Sequence, residues 1–253
     1  KKYLFVILTI CLLATVGFAQ KSKQIEVPFK MDRNLIIIQA KIQNGATSDF
    51  IFDTGASEII INKEVAEKLK LKSKGLVKFT NMLSNKTETV ETYKISSLNF
   101  NGLIVKNKTS LAVPPENIFS PTAVGIIGLS AFAGNLVTID YKNSKLIFQK
   151  GSLKANEKTI PIALNPVLEA KIKLNGKEVL AHFDCGSPNY IGIPKQWNND
   201  YKLKSEPVLR GKGRTPAGEF EVYSSEFDGE IAIGNLKLKD PKITLLTGNF
   251  FAV

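Results

Sequence analysis

The sequence predicts an all-β protein made of two pseudo-symmetric β-barrel-like lobes with only short helices. The first observation is an internal repeat, in which "QAKIQNGATSDFIFDTGAS" at 39–57 aligns with "EAKIKLNGKEVLAHFDCGS" at 169–187. The offset at the two acids is 184 − 53 = 131 residues, and co-linear similarity of this length indicates two copies of one unit. The second observation is that both copies consist of short runs rich in Ile, Val, Leu, Phe and Thr, bounded by Asn, Gly and Pro.

The first residues predict a signal peptide. Lys1 and Lys2 precede a short apolar run, and small residues follow up to Ala19. This order is typical of a secretory signal, so we expect residues 1–19 to be removed from a protein that is exported, either to a periplasm or out of the cell. The alternative is an uncleaved anchor. The run is short for a membrane span and no later segment is long enough, so no stable membrane insertion is expected after cleavage.

The repeat divides the rest of the chain into an N-terminal lobe at 20–150, a linker at 151–158 and a C-terminal lobe at 159–253. The N-terminal lobe contains one helical pattern, "NKEVAEKLKL" at 62–71, with Asn62 as the N-cap. The counterpart of Gly125 would fall at 184 + 72 = 256, beyond Val253. We therefore expect the C-terminal lobe to be truncated.

The composition is that of an ordinary globular protein, with 43% hydrophobic and 23% charged residues. The net charge is +11, but the lysines are scattered along strand patterns without an Arg cluster, so nucleic-acid binding is not expected. Cys185 is the only cysteine after the signal, so no intrachain disulfide can form.

Each copy ends an apolar strand on an acid, Asp53 in the first and Asp184 in the second. A lone D-T-G is most often an ordinary turn. If the copies are related by a pseudo-two-fold axis, however, the two acids face each other and must share a proton. One carboxyl can then activate water while the other protonates an amide oxygen, with neither a metal nor a cofactor. The only histidine, His182, is more typical of a packed or edge residue than of a catalyst.

These motifs resemble the retropepsin-like and pepsin-like aspartic proteases. The resemblance rests on "FDTGAS" at 52–57 and "GIIGLSAF" at 125–132 in the first copy, with the second acid at the repeat offset. More narrowly, the chain is similar to the two-lobed exported bacterial type. The resemblance implies an aspartic endopeptidase that cleaves a polypeptide substrate with Asp53 and Asp184, and that is a monomer when full length.

The resemblance also implies residues that support the acid pair. In the family, the element that corresponds to Ile126-Ile127-Gly128 packs behind the catalytic loop, and a Thr hydroxyl in each motif ties the two loops together. Here the second motif carries Cys185, a poor donor and acceptor, so we expect only half of this tie. The supporting residues are then Thr54, Gly55, Cys185, Gly186, Ser187, Ile127 and Gly128.

A hairpin flap over the cleft is a further expectation from the family. In the first copy, 77–95 fits this hairpin, with its tip near Asn81, Met82 and Leu83. In the second copy, 208–222 fits, with Gly211 and Gly213. Either segment is equally compatible with a plain surface loop. Two flaps would suit a cleft that binds an extended peptide by strand addition.

Two features of the motifs bear on activity. Ala56 offers no hydroxyl to Asp53, whereas Ser187 at the equivalent position is expected to bond Asp184, so the pKa of the pair should be raised. Cys185 keeps open a second hypothesis, a catalytically inactive peptide-binding protein of the same fold. A third hypothesis, a single lobe that dimerises through Asp53, is disfavoured because Asp184 already supplies a partner.

Overall fold

The computed structural model describes residues 24–81, 86–118, 120–151, 163–164, 168–199, 201–215 and 218–247. The predicted signal peptide, all of the predicted linker except Gly151, and the flap residues Met82 and Leu83 lie outside these ranges. The described chain is nearly all β, which confirms the predicted fold class. No described helix is long and apolar enough to cross a membrane.

The first lobe contains ten strands and one α-helix among its described residues. A 3-10 helix at Pro115–Asn117 precedes β8, and another at Leu129–Phe132 follows it. The other elements are β1 (Ile25–Asp32), β2 (Leu35–Ile42), β3 (Thr47–Asp53), β4 (Ile59–Asn62), α1 (Lys63–Lys68), β5 (Lys72–Asn81), β6 (Lys86–Phe100), β7 (Leu103–Val113), β8 (Ala123–Gly128), β9 (Leu136–Asp140) and β10 (Lys145–Gln149).

Six of these strands close into a barrel in the order β6-β7-β4-β8-β3-β2, because β6 also pairs with β2. Strand β2 is buried on both faces. Ile36 and Ile38 pack in the barrel core, whereas Leu35 and Ile37 pack in a second cluster on the opposite face. A strand covered on both sides reads as a continuous apolar run, which is why "LIII" does not alternate with polar residues.

Helix α1 begins where the sequence predicts. The Asn62 side chain accepts a hydrogen bond from Glu64 N at 2.8 Å, as an N-cap does. The helix ends at Lys68, earlier than the predicted pattern, because Lys70 takes a left-handed backbone conformation (φ 50°) that no helix continues through. Leu71, the residue before the next strand, is then buried.

The second lobe repeats the connectivity of the first over its described residues. Its sheets contain β11, β12, β13, β17 and β18 in one and β14, β19, β16 and β15 in the other. A 3-10 helix at Lys195–Asn199 takes the place of α1. The strands are β11 (Ala163–Leu164), β12 (Leu168–Leu174), β13 (Lys177–His182), β14 (Gly192–Pro194), β15 (Val208–Thr215), β16 (Gly218–Glu226), β17 (Glu230–Ile233), β18 (Leu236–Lys239) and β19 (Lys242–Leu246).

The strand pairing adds evidence for the internal repeat, because equivalent strands of the two lobes pair in the same way. The antiparallel contact of β2 with β6 has its counterpart in β12 with β17, and the parallel pair β4–β7 has its counterpart in β14–β19. The difference lies at β8, which joins β3 to β4 in the first lobe. Among the described residues, no strand joins β13 to β14. The expected second barrel is therefore two separate sheets in this part of the chain, packed around a core that includes Ile172, Phe227 and Leu245.

Candidate active site

The two acids sit at the ends of equivalent strands. Asp53 is the last residue of β3, directly opposite Gly128 of the neighbouring parallel strand β8. Asp184 follows two residues after the end of β13. Phe52, the residue before Asp53, is fully buried in the barrel core, so the apolar run fixes the strand and delivers the acid at its end.

The structure brings the two acid motifs into direct contact. A methyl group built on Gly55 would lie 2.6 Å from Cγ of Asp184, and one built on Gly186 would lie closer still to Cγ of Asp53. Each carboxyl therefore rests against the glycine of the other motif, across the pseudo-two-fold axis. This crossed packing explains why both motifs place glycine after the acid: a Cβ there would occupy the space of the opposite carboxyl.

Burial and its neighbour hold the pKa of Asp53 well above the usual range. Burial contributes most, and the charge of Asp184 and a hydrogen bond with its side chain act in the same direction. Two backbone donors oppose the shift, since Gly55 N and Ala56 N donate to Oδ1 of Asp53 at 2.6 and 3.1 Å. The net result is a carboxyl that keeps its proton to higher pH than an ordinary aspartate.

Thr54 and Cys185 tie the two loops together with four contacts. The Thr54 hydroxyl donates to Phe183 O at 2.6 Å and accepts from Cys185 N at 2.9 Å. In the reverse direction, Cys185 Sγ accepts from Thr54 N and donates to Phe52 O, both at 3.4 Å. The expectation of half a tie was wrong in geometry: the thiol occupies the bonding position of a hydroxyl, with the longer distances that sulfur requires.

The side chain of Cys185 is also partly buried. Its side chain packs against the apolar core of the first lobe, and burial raises its pKa to about 11. A thiol with such a pKa remains protonated at neutral pH, so it keeps the S–H that the contact with Phe52 O requires. Cys185 thus serves as a protonated link between the lobes.

Gly128 packs behind the first acid loop, as the family resemblance implies. Its backbone N donates to Glu58 O at 3.2 Å, and its Cα lies so close to Ala56 O that no side chain would fit. Ile127, one residue earlier, is fully buried and lies opposite Phe52.

Ser187 does not do what the sequence predicts. Its hydroxyl accepts from Asn189 N at 3.3 Å and from Asn189 Nδ2 at 3.4 Å, and no bond to Asp184 is formed. Asp184 receives one backbone donor instead, from Gly186 N at 2.8 Å. Burial, and not a missing hydroxyl, is therefore the main cause of the raised pKa of Asp53. His182 pairs with Glu169 at 3.0 Å on the neighbouring strand, which agrees with a packed or edge residue.

Both predicted flap segments are hairpins over their described residues. Strand β5 pairs with β6 along its whole length, from Lys72 to Asn81. Strand β15 pairs with β16 from Val208 to Thr215. Gly211 lies at a bulge within β15 (φ 148°), and Gly213 lies under the ring of Phe220. The two glycines therefore belong to the outgoing strand of the second hairpin and precede its turn.

The first lobe is similar to a known protein family. Residues 38–131, which include most of the barrel and the first acid motif, match the family described as "Aspartyl protease". This match makes the first lobe similar to aspartyl proteases. The match supports a protease-type function.

Solved structures include a similar protein, a retropepsin-like aspartic protease from Rickettsia conorii. It is 24% identical, and the match covers 51% of this chain and 92% of that chain with a TM-score of 0.35. No curated protein matches the sequence.

Two residues at the interface of the two lobes were not predicted from the sequence. Phe183 contributes only its backbone carbonyl to Thr54, and no residue pattern signals such a contact. Asn34, in the turn between β1 and β2, donates from Nδ2 to Pro188 O at 3.1 Å. The contact spans 154 residues of sequence, so only the folded chain reveals it.

Proposed function

We propose that the protein is an aspartic endopeptidase in which Asp53 and Asp184 form the catalytic pair. The observation that carries the proposal is the crossed packing of each carboxyl on the glycine of the other motif. Two carboxyls in contact cannot both ionise, so the pair holds one proton across the pH range in which Asp53 remains protonated.

The environments of the two acids assign their roles. Asp53 is enclosed and its pKa is raised, so it carries the proton and acts as the acid. Asp184 is exposed to solvent, and in this proposal it is the base that accepts the proton of the attacking water. Two acids in different surroundings can supply a proton donor and a proton acceptor at the same pH.

Hydrolysis then proceeds in two balanced steps. Asp184 takes a proton from a water molecule whose oxygen bonds to the carbonyl carbon of the peptide, while Asp53 gives its proton to the carbonyl oxygen. In the second step Asp184 gives its proton to the leaving nitrogen, the C–N bond breaks, and Asp53 recovers a proton from a hydroxyl of the tetrahedral intermediate. Both acids return to their starting states, so no cofactor is consumed.

The substrate is proposed to be a polypeptide held in extended form. The two hairpins, β5–β6 and β15–β16, offer backbone edges to which an extended chain adds as a strand. Export, and a monomer in which each lobe supplies one acid, remain part of the same proposal.

A peptide-library digest across pH tests the proposal. Wild-type protein is compared with Asp53→Asn and Asp184→Asn, and Asp32→Asn is the matched control because Asp32 ends β1 as Asp53 ends β3. Both dyad variants are expected to lose cleavage while circular dichroism stays unchanged, and Asp32→Asn is expected to cleave normally. Wild-type-like turnover by Asp184→Asn would refute the two-acid mechanism.

Cys185 is the observation that favours a second candidate, a peptide-binding protein without catalysis. Two 3.4 Å sulfur contacts hold the loops less firmly than hydroxyl contacts would. The same library distinguishes the candidates, because a silent binder retains peptides in a pull-down at every pH and cleaves none. Cleavage that depends on both acids excludes this candidate.

A further inference from the structure

The two acid loops are supported from behind in different ways. Gly128 of β8 braces the Asp53 loop through its bond to Glu58 O and its contact with Ala56 O. Within the described ranges, no strand occupies the equivalent position behind the Asp184 loop, and Asp184 receives one backbone donor where Asp53 receives two. The described contacts of the second loop therefore differ from those of the first.

The other lobe supplies a contact at this place. Asn34 Nδ2 donates to Pro188 O at 3.1 Å, four residues after Asp184. A carbonyl only accepts, so the orientation of the Asn34 amide is fixed. The next backbone group is held as well, because Asn189 N donates to Ser187 Oγ at 3.3 Å. The peptide group between Pro188 and Asn189 is thus bonded at both its C=O and its N–H.

The turn that carries Asn34 is well placed to act as a support. Arg33 and Asn34 have φ of 47° and 67°, the left-handed pair of a tight two-residue hairpin turn. The flanking residues Asp32 and Leu35 are paired across β1 and β2, and Leu35 is 3% exposed. The donor therefore stands on a short turn fixed by the core of the first lobe.

We propose that Asn34 is a positioning residue for Asp184. It joins the first lobe to the loop of the second acid by a hydrogen bond across the lobe interface. This inference rests on the proposed function. It adds that the alignment of the catalytic pair depends on a side chain outside both acid motifs.

The test uses Asn34→Gly, which keeps the left-handed turn and removes the donor. Asn101→Gly is the matched control. Asn101 also lies in a tight turn (φ 49°), and its Nδ2 donates to Glu26 O at 3.0 Å, but that bond stays within the first lobe. Two readouts are taken on the full chain: amide hydrogen exchange over residues 184–191, and kcat and KM for a cleaved peptide.

Asn34→Gly is expected to exchange about five-fold faster over 184–191 and to lower kcat by a similar factor with little change in KM, the equivalent of about 1 kcal/mol for one hydrogen bond. Asn101→Gly is expected to change neither. Exchange over 184–191 that matches wild type in Asn34→Gly overturns the inference, even if no substrate is cleaved by any variant. Faster exchange with unchanged kcat also overturns it, because the loop would then move without consequence for catalysis.

Asn34→Asp separates positioning from a general loss of stability. Its carboxylate has the shape of the amide but only accepts, so it repels Pro188 O, whereas the protonated form donates again. The rate of this variant relative to wild type is therefore expected to recover as pH falls through about 4. A ratio that stays flat over this range contradicts the role of the hydrogen bond. Absence of cleavage by wild type would instead refute the proposed function, and the exchange measurement would still decide the inference.

Discussion

Replacing Cys185 by Ala tests whether the sulfur contacts hold the two lobes together. The change removes the acceptor of Thr54 N and the donor to Phe52 O, both 3.4 Å from Sγ. A buried backbone N–H left without a partner costs about 1–3 kcal/mol, and the loss of a small buried group adds about 1 kcal/mol. We therefore expect a loss of about 3 kcal/mol in the free energy of unfolding, or roughly 6–12 °C in Tm for a chain of this size.

Cys185→Thr is the matched variant. A Thr hydroxyl makes shorter and stronger hydrogen bonds than a thiol to the same backbone groups. We expect this variant to unfold at or above the wild-type temperature, and the Asp pair to cleave peptide at least as fast as in wild type.

Urea unfolding of the two variants and wild type, followed by circular dichroism and by peptide cleavage, measures both effects. We expect Cys185→Ala to have a lower stability and a lower kcat than wild type. We expect wild type to lie at or below Cys185→Thr in both quantities. If Cys185→Ala is as stable as wild type, the sulfur contacts contribute nothing. If Thr is less stable than Ala, the site has no room for a branched side chain and the thiol is selected by shape.

Four further predictions follow from the acid pair and its loops. Ionisation of Asp53 opposes folding because its pKa is raised in the folded state. Asp53→Asn should therefore gain stability relative to wild type as pH rises above about 4. An equal gain at pH 3 and pH 7 would contradict the raised pKa. Ala56→Ser adds a donor near the ionised Asp53 and should move the basic limb of kcat/KM to lower pH; a limb that stays or rises refutes the hydrogen-bond argument. In a Cys11→Ser background, Cys185 of the folded protein should react with a thiol reagent at pH 8 about 200-fold more slowly than Cys185 of the urea-unfolded protein. This ratio is expected from a pKa of about 11 in the folded state. Equal rates would show an accessible thiolate. Gly186→Ala places a methyl group against the Asp53 carboxyl and should abolish cleavage in a folded protein; full activity would show that the crossed packing is absent.

The sequence by itself determined the β-rich class and the existence of two equivalent acids. Short β-branched runs and turn residues are local signals, and they predict strands without knowledge of their partners. The offset of 131 residues between Asp53 and Asp184 is likewise visible in one dimension, because two copies of one unit keep their residue order. The cap at Asn62 was predictable for the same reason, since its bond reaches only two residues along the chain.

Tertiary structure alone decided how the two copies meet and how each is closed. Cys185 makes the contacts that a hydroxyl would make, because its Sγ lies 3.4 Å from Thr54 N and from Phe52 O. The residue type alone does not predict these distances. The bond of Ser187 to Asn189, and that of Asn34 to Pro188, follow from the path of the backbone through a loop. Burial is a property of everything packed around a carboxyl, so the pKa of Asp53 is raised only once the lobes are assembled.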